Sequence, residues 1–277
     1  EPQGLLAKHI SEKSFGGQCF FCNSGAEANE AAIKLARIHN SSSGKYKIIT
    51  FSDSFHGRTI ATVTATAQPK YHKGFAPLLE GFSYVPFNDL EALKKAVDDT
   101  TCAIMLEPIQ GEGGINIATK EFMQGIRKLC DEKGLLLILD EVQCGMGRSG
   151  KYFAYQHYDI EPDIMTLAKA LGGGVAIGAM TAKKEIAKSL VPGSHASTFG
   201  GNPLACAAGI AVFETIENEN LLDNVKKMGS YAVEQLKLLQ KTYKIIKEVR
   251  GVGLMIGIEL NGNGSEIIKG CIQAGLF

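Results

Sequence analysis

Short β-rich apolar runs alternate along the chain with longer amphipathic stretches. The strand-like runs fall at 17–22, 47–51, 102–106, 135–139, 164–166, 176–180 and 252–258. The helix-like stretches fall at 26–39, 89–97, 120–133, 203–218 and 221–241. The strands are apolar throughout rather than at every second position. That pattern predicts an α/β fold, a mainly parallel sheet with helices on both faces. No repeat of 20–50 residues is visible. A division is expected at 215, with residues 1–215 forming a large domain. Residues 216–277 then begin a smaller α+β domain built around 247–260. The opening Leu5-Leu6-Ala7-Lys8-His9-Ile10 reads as a helix already under way, and Ala274-Gly275-Leu276-Phe277 as a strand about to start. On that reading the chain is a fragment.

Composition narrows the partners. The 277 residues are 45% hydrophobic, enough for one large core and part of a second. Twenty-nine basic and 29 acidic residues cancel, so bulk charge draws no polyanion and no basic patch points to nucleic acid. No apolar stretch approaches membrane-spanning length. Seven cysteines, an odd number in a chain too large to need disulfides, favour a reducing, cytoplasmic setting. Cys19 and Cys22 form a C-x-x-C, but within a strand-like run and without a second ligand pair at zinc spacing. No metal site is expected.

The chemistry-bearing clusters follow strands. Asn23-Ser24-Gly25-Ala26-Glu27-Ala28-Asn29-Glu30 joins a strand to a helix, and Ser24 with Glu27 fits a capping box. The exposed N–H groups of such a helix start suit a phosphate, although a capping box needs no ligand. Asp140 ends an apolar strand, where a carboxylate needs a partner: a cationic ring nitrogen, a turn to cap, or a metal. Lys169 stands among small and apolar residues before Gly172-Gly173-Gly174. A partly desolvated lysine there suits Schiff-base chemistry, and a lysine snorkelling from a helix start is the bland alternative. Phe55 could stack on a flat ring, and Arg58 could clamp a carboxylate. Nothing matches G-x-G-x-x-G or a P-loop, so nicotinamide and nucleotide-triphosphate folds gain no support. In an open α/β sheet, residues beyond the carboxyl ends of strands collect on one edge.

Taken together, NSGAEA (23–28), FHGRT (55–59), EPIQGEGG (107–114), LDEVQCGMG (139–147), LAKALGGG (167–174) and STFGGNP (197–203) make the match specific. The chain resembles the class III pyridoxal-phosphate aminotransferases of the ornithine and acetylornithine type, over about residues 20 to 205. The resemblance implies fold type I and pyridoxal 5'-phosphate as cofactor. It also implies transfer of a terminal amino group from a donor of the acetylornithine kind to 2-oxoglutarate. By the same resemblance Lys169 carries the cofactor, Asp140 faces the pyridine nitrogen and Gln143 meets the ring's 3′-oxygen. Ser24, Gly25 and Ala26 hold the phosphate, and Phe55 stacks over the ring. Arg58 receives the substrate carboxylate, and Glu107 is the acidic gate. Thr198 is implied to reach the phosphate bound in a second subunit, which makes a homodimer. The arginine that family members use for the 2-oxoglutarate carboxylate has no match here. His56, beside the stacking ring, stays ambiguous.

Overall fold

The computed structural model describes residues 1–276. Seven strands form one sheet: β1 (Gln18–Cys22), β2 (Lys47–Phe51), β3 (Phe82–Val85), β4 (Thr101–Leu106), β5 (Leu136–Asp140), β6 (Ile164–Leu167) and β7 (Gly178–Ala182). Their order across the sheet is β1-β7-β6-β5-β4-β2-β3. Strands β6, β5, β4, β2 and β3 run parallel, and β7 pairs antiparallel with both β1 and β6. The mainly parallel sheet expected from the apolar runs is present. Along β5, Leu136 and Ile138 pack into the core beneath one face, and Leu137 and Leu139 into the core beneath the other. A strand buried on both faces has no polar positions to alternate, which is why it reads as one apolar run.

The helices cover the two faces. Helix α1 (Pro2–Lys13) buries Leu6 and Ile10, and α2 (Gly25–His39) buries Ala31, Ala32, Ile33, Leu35 and Ala36 against the opposite face. Helix α3 (Lys120–Lys133) is capped by Thr119 and closed by Gly134 at φ 61°, the left-handed turn that glycine takes without penalty. Helix α4 (Pro203–Asn218) packs on α1. Asn220, at φ 50°, then turns the chain into α5 (Leu221–Thr242). The division expected at 215 falls within α4.

The tail differs from its sequence reading. The single strand expected at 252–258 is the middle of a hairpin, β8 (Ile246–Val252) and β9 (Met255–Leu260), which turns at Gly253 with φ 58°. The apolar residues on either side of Gly253 hid the turn. Strand β3, a short edge strand, was not expected either, and β7 starts two residues later than its apolar run. Ala274 and Gly275 form a turn rather than a strand start, and Phe277 lies outside the described residues. Among the described residues no helix is long and apolar enough to cross a membrane, and no group of three metal-ligating side chains occurs.

Helix α5 carries a buried glycine, Gly229, whose Cβ would collide with the backbone of Gly253 in the hairpin turn. On propensity alone Gly229→Ala should gain about 1 kcal/mol. The backbone contact reverses the sign, and a loss of about 1–3 kcal/mol is expected, read as a lower urea midpoint. A raised midpoint would mean that α5 does not seat on the turn.

Candidate active site

The parallel strands all end on one edge, and each end delivers a polar cluster. Beyond β1 come Asn23 and Ser24; beyond β2, Phe55 to Arg58; beyond β4, Glu107. Asp140 closes β5, and Lys169 follows β6. Because β7 runs the other way, its entry segment 174–177 reaches the same edge. These segments enclose a cavity of about 570 Å³, within the usual range for small-molecule sites. Its wall includes Ser24, Gly25, Ala26, Phe55, Arg58, Glu107, Asp140, Gln143 and Lys169. Of the residues expected from the sequence, only Thr198 is not on this wall; it is exposed on the loop before α4.

Asp140 forms the floor. Its Oδ2 accepts from Asn29 Nδ2 at 2.7 Å and His56 Nδ1 at 2.8 Å, and its Oδ1 from the Val142 N–H at 3.0 Å. Each hydrogen bond to a charged group is worth about 1.5–3 kcal/mol, so three can offset the several kcal/mol that burying a carboxylate costs. Asn29 is fixed in turn: its second amide hydrogen goes to the His56 carbonyl, and its Oδ1 accepts from Thr166 Oγ1, both at 2.7 Å. Burial would lower the His56 imidazole, but the hydrogen bond and charge of Asp140, with Glu107 behind, raise it. Sequence reading left Asn29 without a role and His56 open. The available signal was spacing: Asn29 lies one turn inside α2, on the face that meets the β5 terminus.

Ser24 caps α2, accepting from the Glu27 N–H at 3.2 Å, while Glu27 accepts from the Asn23 N–H at 3.0 Å. The Ser24 cap is formed, Glu27 reaches back past it to the Asn23 N–H, and the first-turn N–H groups of Gly25 and Ala26 remain for the cavity. Lys169 is exposed rather than desolvated. Its φ of 45° turns it out of the line of Ala168 and Leu171, which are buried, so its apolar neighbours in sequence are not its neighbours in space. A bulky residue in that left-handed region costs free energy, and such strain collects at functional sites.

Glu107 departs from its expected role as a gate. It is buried, and its two oxygens accept from the Phe55 N–H at 2.9 Å and the Gly111 N–H at 3.2 Å. Burial pushes its carboxyl up, His56 opposes and Asp140 adds. It braces the two loops; the exposed carboxylate on the wall is Glu112. Arg58 stacks over the rings of Phe55 and Tyr71, with its guanidinium carbon 5.6 and 4.9 Å from their centroids. Stacking occupies the guanidinium face and leaves its N–H edge for a carboxylate.

An amine, a buried carboxylate, a helix start and an aromatic ring on one wall suit a phosphorylated, nitrogen-containing aldehyde. The amine can bond the aldehyde, the carboxylate can meet the ring nitrogen, and the helix start can seat the phosphate.

Asn29→Ala is expected to cost about 2–4 kcal/mol in urea unfolding, because it strips buried partners from Asp140 and Thr166. Asn29→Asp should cost more despite its equal size, since it sets a second carboxylate against Asp140; equal losses would exclude that repulsion. A pH effect comes from Glu141, buried beside Asp140, which accepts from the Ala154 and Tyr155 N–H groups. Burial pushes its carboxyl up to about 7 from 4.5. The folded chain thus holds a proton that the unfolded chain releases, and this contribution is fully present below 4.5 and lost as pH rises through about 7. Melting curves of wild type and Glu141→Gln should differ in slope over that window, the wild type falling faster. Parallel curves would mean that Glu141 does not titrate there.

The sequence signature of the aminotransferase class-III family spans residues 1–277. The acetylornithine aminotransferase of Caldanaerobacter subterraneus subsp. tengcongensis is 60% identical over all of this chain and 71% of its own length. That of Methanocaldococcus jannaschii is 56% identical, over all of this chain and 70% of its own length. The acetylornithine/succinyldiaminopimelate aminotransferase of Yersinia pestis is 49% identical, again over all of this chain and 70% of its own length. Among solved structures, the ornithine aminotransferase of Toxoplasma gondii superposes with a TM-score of 0.95 at 32% identity, over 99% of this chain and 68% of that one. With this fold and this site behind it, the chain belongs to the class III aminotransferases, enzymes of fold type I that work with pyridoxal phosphate.

Proposed function

We propose that the chain transfers the terminal amino group of N2-acetylornithine to 2-oxoglutarate, giving N-acetylglutamate 5-semialdehyde and glutamate. The observation that carries this reading is Arg58, which shares a cavity wall with Lys169 and has an unengaged N–H edge. A donor with a carboxylate at one end and an amine at the other can be held by the first and presented to the second. The names borne by the Caldanaerobacter and Methanocaldococcus relatives support the acetylated donor. The Yersinia relative's name supports a second, acylated diaminopimelate donor at the same site.

When bound, pyridoxal phosphate supplies a ring that takes up the electron pair left by proton removal. The chain's own residues do the rest. Lys169 would hold the cofactor through its amine, and that amine, when free, would take a proton from the donor and return it. Asp140, held from three sides, would keep a proton on the ring nitrogen, and Gln143 would meet the ring's 3′-oxygen. Ser24 and the N–H groups of Gly25 and Ala26 would hold the phosphate, and Phe55 would cover the ring. Thr198, exposed away from this wall, is assigned to the phosphate of a second subunit, so the proposal includes a homodimer with shared sites. A cytoplasmic setting belongs to the same reading, supported by seven unpaired cysteines.

The test is absorption spectroscopy of the cofactor-loaded protein as each donor is added. Acetylornithine should convert the cofactor band at least tenfold faster than ornithine or 4-aminobutyrate, with succinylornithine and succinyldiaminopimelate as further arms. Equal conversion by 4-aminobutyrate would sink the donor assignment. Lys169→Ala should abolish the lysine-bound band. Arg58→Lys should raise KM for acetylornithine by at least tenfold with a smaller change in kcat, because a lysine cannot make the two-point contact. An unchanged KM removes Arg58 from donor binding.

A further inference from the structure

The loop that carries Glu112 is gripped from outside the large domain. Arg250, on β8, donates from Nε to the carbonyls of Gly114 at 3.0 Å and Ile115 at 3.1 Å, and from Nη2 to Gly114 at 2.7 Å. Its remaining nitrogen, Nη1, is held by Glu248 at 2.9 Å and Glu259 at 2.7 Å, so the fork is aimed before it meets the loop. Strand β9 closes on the same place: a Cβ at Gly257 would lie 2.9 Å from the Ile115 Cβ. Beneath them Ile115, Ile117 and Val252 pack around Ile109, Cys144, Ala154 and Met255.

The inner side of the loop is fixed as well. The Gly111 N–H is held by Glu107, and Asn116 Nδ2 donates to Gln110 Oε1 at 2.9 Å and to the Gly113 carbonyl at 3.1 Å. Gly113 lies so close to the Asp53 backbone that it has no room for a Cβ, and a Cβ at Gly111 would displace the Gln143 side-chain amide. Between these fixed points stands Glu112, exposed on the cavity wall, and next to the outer grip stands Ile115 at φ 57°. A β-branched residue in that region is strained and persists only where its surroundings over-determine it. The fork on its own carbonyl and on that of Gly114 provides such a constraint. Without it Ile115 can relax to negative φ, which rotates the adjoining peptides and re-aims the turn that bears Glu112.

We propose that Arg250 is a positioning residue for the active site: through the Gly114 and Ile115 carbonyls, the hairpin of the smaller domain sets where Glu112 stands at the cavity mouth. The inference rests on the cavity being the place where the amino donor binds, and not on which donor it is. Glu112 is then a fixed negative charge past which every charged substrate moves, and its position affects binding more than the chemical step.

The test uses the cofactor-loaded enzyme with Arg250→Lys, Arg250→Gln, Glu112→Gln and the double variant Arg250→Lys/Glu112→Gln. Lysine keeps the charge for Glu248 and Glu259 but loses the two-carbonyl fork, so it separates aim from charge if the glutamine variant fails to fold. Arg250→Lys should raise KM for the amino donor at least fivefold with kcat within twofold. Amide hydrogen exchange should quicken at 113–116 and not in α2. On the Glu112→Gln background the same substitution should change KM by less than twofold. Unchanged exchange at 113–116 overturns the proposal, as does a KM effect that multiplies in full with Glu112→Gln. A drop in melting temperature with KM and exchange unmoved assigns Arg250 to stability alone. The kinetics use whichever donor the enzyme turns over fastest, so failure of the acetylornithine assignment leaves this test intact and is read separately from it.

Discussion

The structure is organised around a carboxylate that cannot be left alone. Asp140 ends the central strand of a sheet covered on both faces, a place from which water is largely excluded. A charge there is unfavourable by several kcal/mol unless its lone pairs are met. Three donors meet them, and each comes from a different segment: α2 through Asn29, the loop after β2 through His56, and the turn after β5 through Val142. The requirement to satisfy one side chain thus fixes the relative position of the α2 start, the Phe55 loop and the end of β5 around the cavity. Thr166, which donates to Asn29, extends the same network to β6, the strand that delivers Lys169.

That network separates rigid from strained parts of the site. Its members lie on regular elements or are pinned to them, so the floor is pre-formed. The wall is built differently. Lys169 and Ile115 both sit at positive φ, and glycines crowd the loops on either side. In the proposed role the Lys169 amine has to bond, release and bond again, and a turn that points it away from its own apolar neighbours leaves it room to do so. The cost of that geometry is carried by packing beneath it, where Leu171 and Ala168 are buried.

Most of this was legible in the sequence, for a physical reason. Strands buried on both faces and helices with one apolar face produce strong periodic signals, which is why α3 and α4 match their predicted limits. Loops that end at a helix start or a buried strand carry short motifs whose spacing survives the lack of structure. Partnerships across the fold were not legible. Nothing near Asn29 in sequence says that it meets Asp140, and a capping box looks the same with or without a ligand. Glu107 was misread because a motif gives the identity of a carboxylate and not its direction. Only the fold shows that its oxygens turn inward to backbone N–H groups while Glu112 turns out. Lys169 was misread in a similar way, since a residue at positive φ leaves the surroundings its sequence neighbours suggest. The hairpin was lost because its turn glycine interrupts an apolar run that passes for one strand.

The position of Glu107 also explains why the mouth needs an external hold. By accepting from both Phe55 and Gly111, it ties the Phe55 loop to the start of the Glu112 loop. Beyond Gly111 the backbone makes a tight, glycine-rich turn outside the main sheet, closed at its base by a two-residue antiparallel ladder of Ile109 and Gln110 against Ile117 and Asn116. A mouth set by that short ladder alone would leave the turn bearing Glu112 free to pivot on its base. Contact with a second domain removes that freedom without filling the cavity, because Arg250 grips carbonyls on the far side of the turn. Steric and electrostatic demands are thereby divided. On the proposed function, the large domain supplies the charges that would act on the reacting atoms, and the smaller one constrains the backbone that places a charge beside them.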